Sequence, residues 1–147
     1  SAVQFVLPGA RVLDLFAGSG QLGIEALSRG AARCVFVDES REAVGVVTKN
    51  LKAAGMFTKA VVTNMNALSY LAGTRDAFDI VLLDPPYRHN TLAEILPQVA
   101  AVVSEGGIVL AESEKGAQMP QEVEGLVLKK QYKYGTVLVT RYEKEQD

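Results

Sequence analysis

One cysteine, one histidine and no tryptophan stand among 147 residues. The lone thiol, Cys34, permits no internal disulfide and falls in an apolar run, so a buried, reduced cysteine is expected. No apolar run approaches the length of a membrane span, and the N-terminus carries no basic-plus-apolar signal pattern. Neither charge is in marked excess: fifteen Lys and Arg against seventeen Asp and Glu leave a formal net charge of -2. That balance excludes a protein gripping nucleic acid over its whole surface. A nucleic-acid role would need a local basic patch, or basic residues outside this stretch. Repeats and low-complexity segments are absent too. What remains is 48% hydrophobic and 22% charged, an ordinary single globular domain able to bury a core unaided, with cytoplasmic residence expected.

The apolar pattern alternates between two periods. Val12 to Phe16 reads as a first strand, introduced by Pro8-Gly9, and Leu22, Ile24, Ala26 and Leu27 as a helix closed by Gly30. Arg33 to Asp38 is a second strand ending on acid. Ser40 can cap the next helix, with Glu42 in its first turn and Val44, Val47, Leu51 and Ala54 at helical spacing up to Gly55. Ala60 to Thr63 is a short third strand, Asn64 to Leu71 a loop running into a helical turn, and Phe78 to Leu83 a fourth strand. Leu92 to Val103 carries a helical stripe interrupted by Pro97, which predicts a kink or a helix starting close before it. Ile108 to Glu112 is a fifth strand, Ser113 to Gly125 a loop with little fixed structure, and Leu126 to Tyr142 a hairpin around Tyr134-Gly135. The order is β-α five times over, then a hairpin. It demands a parallel sheet with helices on both faces and an antiparallel edge.

Two stretches carry chemistry. Gly18, Gly20 and Gly23 satisfy G-x-G-x-x-G between a strand and a helix, and Asp38 ends the next strand, where a carboxylate meets ribose hydroxyls. This pairing suits NAD and S-adenosylmethionine alike. Asp14 and the Phe16-Ala17 spacer favour the second: an acid there meets a cofactor's ammonium group but would repel a pyrophosphate. Asn66, after the third strand, suits either an adenine amino group or a helix N-cap. The other stretch is Asp84-Pro85-Pro86-Tyr87, at the end of the fourth strand. Each proline removes a donor and fixes φ, so a stiff loop holds a carboxylate, carbonyls and a ring where α/β sheets place ligands. The bland alternative is a strand-ending turn.

Together, Asp14-Leu-Phe-Ala-Gly-Ser-Gly20, the following Leu22 to Gly30, Asp84-Pro-Pro-Tyr87 and Tyr134-Gly135 resemble the bacterial 16S ribosomal RNA guanine-N2 methyltransferases. The resemblance covers nearly the whole chain and implies a doubly wound, mostly parallel seven-stranded α/β sheet of the Rossmann-like class I methyltransferase type, with an antiparallel C-terminal hairpin. It implies S-adenosyl-L-methionine held by Asp14, Phe16, Ala17, Gly18, Gly20, Asp38, Glu39, Asn66 and Ala67. Asp14, Gly18 and Gly20 would meet the methionine portion, Asp38 the ribose and Asn66 the adenine, where family members commonly carry Asp. Asp84, Pro85 and Tyr87 would be catalytic; Pro86, Tyr87 and Arg88 would bind substrate. Family members precede the glycine loop with a basic segment that helps hold RNA, so residues 1–147 are expected to be the methyltransferase domain without it. The expected partner is ribosomal RNA or the small ribosomal subunit, with no metal, no membrane and a monomeric state. The tetrapeptide is shared with adenine-N6 methyltransferases, the nearest rival; an NAD-linked oxidoreductase and a non-catalytic cofactor-binding module are the others. His89 reads as a solvated loop residue, Lys129, Lys130 and Lys133 as a solvated face, and Tyr132 and Tyr134 as packing residues.

Overall fold

The computed structural model describes residues 8–86 and 91–146. Five parallel strands, β1 (Arg11–Asp14), β2 (Arg33–Asp38), β3 (Ala60–Asn64), β4 (Phe78–Leu83) and β5 (Val103–Glu114), join three antiparallel ones, β6 (Glu122–Val123), β7 (Leu126–Tyr134) and β8 (Val137–Lys144). They form one sheet in the order β3-β2-β1-β4-β5-β8-β7-β6. Helices α1 (Gln21–Ser28), α2 (Arg41–Ala53), α3 (Ala67–Gly73) and α4 (Thr91–Ala100) connect the parallel strands. The chain works outward from β1 to β3, then returns to place β4 on the other side of β1. Strand order therefore reverses between β1 and β4, where doubly wound sheets leave a crevice.

Central strands buried on both faces explain the unbroken apolar runs. On one face Leu13, Val35, Val81 and Val109 pack under α3 and α4 through Leu71, Ile95, Leu96 and Val99. On the other, Val12, Phe36, Leu82 and Leu110 pack under α1 and α2 through Ala26, Leu27, Val47 and Leu51. Cys34 is buried and free in this second core.

Among the described residues the sheet has eight strands, not seven. The extra one, β6, lies in the stretch expected to be a loop. Its order comes from distant partners that local patterning does not reveal: β6 pairs with β7, the Leu128 amide donates to the Gln121 carbonyl, and the buried Tyr142 hydroxyl donates to the Pro120 carbonyl at 2.7 Å. β5 is longer than expected, and no helix follows it among the described residues. The helix read over Leu92 to Val103 ends at Ala100, with Pro97 inside it, and Val103 already pairs with Phe78. Ser40 caps α2 as expected, accepting from the Ala43 amide.

Candidate active site

The first cleft lies above the C-terminal ends of β1, β2 and β4, in two cavities that meet. One, of about 660 Å³, is bordered by Asp14, Phe16, Ala17, Gly18, Asp38, Asp84, Pro85, Pro86 and Glu112. The other, of about 500 Å³, is bordered by Phe16, Asp38, Glu39, Asn66, Ala67 and Pro86, with Leu15, Met65, Leu68 and Ile95 supplying apolar walls. Phe16, Asp38 and Pro86 belong to both and mark the junction.

The glycine loop shapes the first cavity. Gly18 and Gly20 hold positive φ, 57° and 81°, which side-chain-bearing residues rarely adopt. Asp38 fixes the loop from below: its carboxylate accepts from the Gly18 amide and the Ser40 amide, each at 2.9 Å. Gly20 lines neither cavity; it makes the turn into α1 and packs against Val47. Gly23 serves packing. A Cβ there would lie 2.3 Å from the Phe36 ring and 2.8 Å from the Cys34 sulfur, so only glycine lets α1 lie this close to β2.

Asp14 is buried, and one of its oxygens accepts from the Gly23 amide at 3.1 Å. Burial, reinforced by the charges of Asp84, Asp38 and Glu112, pushes its carboxyl up to about 7 against the opposing pull of that hydrogen bond. A cation arriving in the cavity would favour the ionised form. Asn66 takes the helix-cap role: its side-chain oxygen accepts from the Leu68 and Ser69 amides, and its amide nitrogen donates to Glu39. It still borders the apolar cavity, but that oxygen is already engaged, so an adenine amino group would have to share it.

Asp84 and Pro86 are exposed and Pro85 is half-buried just beyond β4. These three border a further cavity of about 290 Å³, closed on its far side by Leu92, Ser113, Thr136 and Val137. The stiff Asp-Pro-Pro segment is thus a wall between two spaces. Tyr87, Arg88 and His89 lie outside the described residues.

Glu112 borders both spaces as well, and sequence reading missed it. The available signal was an acid closing an apolar strand, the same signal that marked Asp38. Burial, the charge of Asp84 and a hydrogen bond to that carboxylate raise Glu112 to about 7. The hairpin corrects another expectation. Tyr134 is exposed rather than packed, stacked on Tyr132 with ring centroids 6.4 Å apart, while Lys130 lies over the Tyr132 ring. Among the described residues no group of His, Cys, Asp and Glu is arranged to hold a metal, and no helix is long and apolar enough to cross a membrane.

Residues 1–143 match the family described as "Conserved hypothetical protein 95". The chain is 38% identical over 141 residues to the Bacillus subtilis protein named "Putative rRNA methyltransferase YlbH", covering 92% of this chain and 77% of the relative. It is 34% identical over 142 residues to "Ribosomal RNA small subunit methyltransferase D" of Escherichia coli, covering 95% and 71%. A solved structure described as a conserved hypothetical protein of Streptococcus pyogenes superposes with a TM-score of 0.88 at 36% identity, covering 95% of this chain and 88% of that one. The chain belongs to the conserved hypothetical protein 95 family.

Proposed function

From that membership we propose that the chain is an S-adenosylmethionine-dependent ribosomal RNA methyltransferase whose target is the exocyclic N2 amine of a guanine in the small subunit. The observation that carries this reading is the wall of Asp84, Pro85 and Pro86 standing between a long two-part cleft and a separate cavity. The two-part cleft suits a cofactor with a flat apolar end and a charged end. Its apolar half would take adenine, Asp38 at the junction the ribose hydroxyls, and the acid-lined half around Asp14 the amino-acid end. Phe16, Ala17, Gly18, Glu39 and Ala67 complete the walls. S-adenosylmethionine supplies an activated methyl group on a sulfonium.

The remaining chemistry belongs to the wall. An exocyclic amine on a base is a poor nucleophile because its lone pair is delocalised into the ring. Asp84 and the Pro85 carbonyl accept its two N–H bonds, turn the lone pair toward the cofactor side, and stabilise the positive charge that grows on nitrogen. Two prolines keep those acceptors from relaxing, so orientation is fixed before reaction; positioning of this kind can be worth about 7–11 kcal/mol. Tyr87 follows in sequence as the ring on which the base would stack. Support for ribosomal RNA of the small subunit comes from the name of the Escherichia coli relative.

The test is nucleoside mass spectrometry of small-subunit ribosomal RNA after incubation with the protein and S-adenosylmethionine. N2-methylguanosine is expected. N6-methyladenosine would replace the guanine reading with an adenine one, and the absence of any methylated base would overturn both.

A further inference from the structure

Glu112 occupies a position that the transfer step can use. In the β4–β5 register Leu82 lies opposite Leu110 and Leu83 opposite Ala111, and Asp84 and Glu112 are the residues that follow on the two strands. Both border the cofactor-side cavity and the cavity beyond the wall, and the charge of Asp84 acts on Glu112. Two neighbouring carboxylates resist ionising together, so the pair takes up a proton more readily than either acid alone.

Methyl transfer to an amine generates a proton that must go somewhere. The nitrogen lone pair forms the new N–C bond, and the S–C bonding pair leaves with sulfur, which becomes a neutral thioether. The nitrogen is then positively charged and must lose one of its hydrogens as H⁺. Asp84 would hold that N–H already, but a lone carboxylate is a weak base. A second carboxylate in contact makes the pair a stronger one. Resting on the amine-methyltransferase reading above, we propose that Glu112 is a positioning residue for proton removal: through Asp84 it takes the proton the methylated amine gives up, then releases it toward the cavity beyond the wall. The productive resting form of the pair carries no proton.

Other charged groups stand around the two cavities. Asp14 from β1, Asp38 from β2 and Glu25 from α1 border the same cavity as Asp84. Glu114, on its own strand, borders the far one. On β8 the residue opposite Glu112 is Val139, with Arg141 two positions on and opposite Leu110. Burial first, and then the neighbouring Asp84, raise Glu112 to about 7.

The full chain should show kcat rising with pH up to about 7 and then levelling, with small-subunit ribosomal RNA as acceptor. Glu112→Gln should lose that limb and lower the plateau roughly tenfold, at the modest end of general acid–base effects, with cofactor affinity within about threefold and an unchanged melting curve at pH 6; Glu112→Asp should restore the limb. A readout independent of turnover is the carboxyl carbon of Glu112 followed by NMR in the ligand-free chain. It should titrate near neutrality, and Asp84→Asn should bring it down toward the ordinary range. A Glu112→Gln profile parallel to wild type overturns the proposal while leaving guanine methylation intact. Methylation of adenine with the same limb supports the proposal and overturns the guanine reading.

Discussion

Asp14 illustrates how one side chain serves both fold and site. Its contact with the Gly23 amide ties β1 to α1, and its burial makes ionisation costly. Unfolded, the carboxyl ionises near its ordinary 3.8; folded, near 7. Between those values only the folded chain keeps the proton on this group, so its contribution to stability declines as pH rises through the window. Asp14→Asn cannot ionise and still accepts from Gly23, so it should gain stability on wild type between pH 4 and 7 and hold that gain above. Urea unfolding at four pH values measures the difference; a pH-independent gap would contradict it. The same group predicts the pH dependence of binding. Meeting a cationic cofactor requires the ionised form, so at pH 6 binding of S-adenosylmethionine should release close to one proton. Calorimetry in buffers of different ionisation enthalpy reads this directly, and Asp14→Asn should abolish it. At Asp38, removal of a carboxylate that also holds the loop should weaken cofactor binding by about 1.5–3 kcal/mol, with calorimetry again the measure. The positions of Asp14 and Asp38 at the cleft were legible because acids inside or ending apolar strands are conspicuous. Asn66 was legible only as a choice of two roles, and Glu112, an acid closing a strand as Asp38 does, has no glycine loop or proline pair beside it in sequence; the structure places it on both cavities that Asp84 borders.

At the scale of the element, the glycine loop and the strand ends were visible in the sequence, because glycine, proline and acid punctuate apolar periodicity. The reason for each glycine was not. Gly20 makes a turn, whereas Gly23 removes a side chain that would collide with Phe36 and Cys34. Gly23→Ala should therefore cost about 1–3 kcal/mol, the penalty for overpacking a well-filled core, despite the higher helix propensity of alanine. Chemical denaturation would detect it, and an unchanged midpoint would mean that α1 shifts away from β2 without penalty. The 113–125 stretch escaped reading for the opposite reason. Its order depends on Tyr142 and β7, which lie later in the chain and leave no local periodic trace. Pro97 was expected to mark a helix start or kink; α4 begins six residues earlier and continues past it to Ala100.

Across the whole molecule, the alternation of strand and helix was enough to place the cleft at a sheet crevice, since parallel topology leaves little choice. It could not show that the Asp84-Pro85-Pro86 wall separates two cavities, because the far cavity is closed by β5 and β8, whose antiparallel pairing sets Glu114 opposite Val137. Charge is also a property of the whole. With a net of -2, the 147 residues should bind RNA at or beyond the weak end of non-specific affinities, about 10⁻⁴ M at physiological salt. A fluorescence titration across a salt series checks this, and submicromolar binding would place a strong RNA surface within these residues. The central claim is that the wall, rather than the cofactor cleft, performs the transfer. It is tested most directly by measuring single-turnover methyl transfer and cofactor affinity on one variant, Asp84→Ala. Transfer should fall by about 10²–10³-fold, the scale of losing one preorganised electrostatic group, while cofactor affinity stays within a few-fold. Transfer at the wild-type rate would contradict the account and leave Asp84 as no more than the end of a strand.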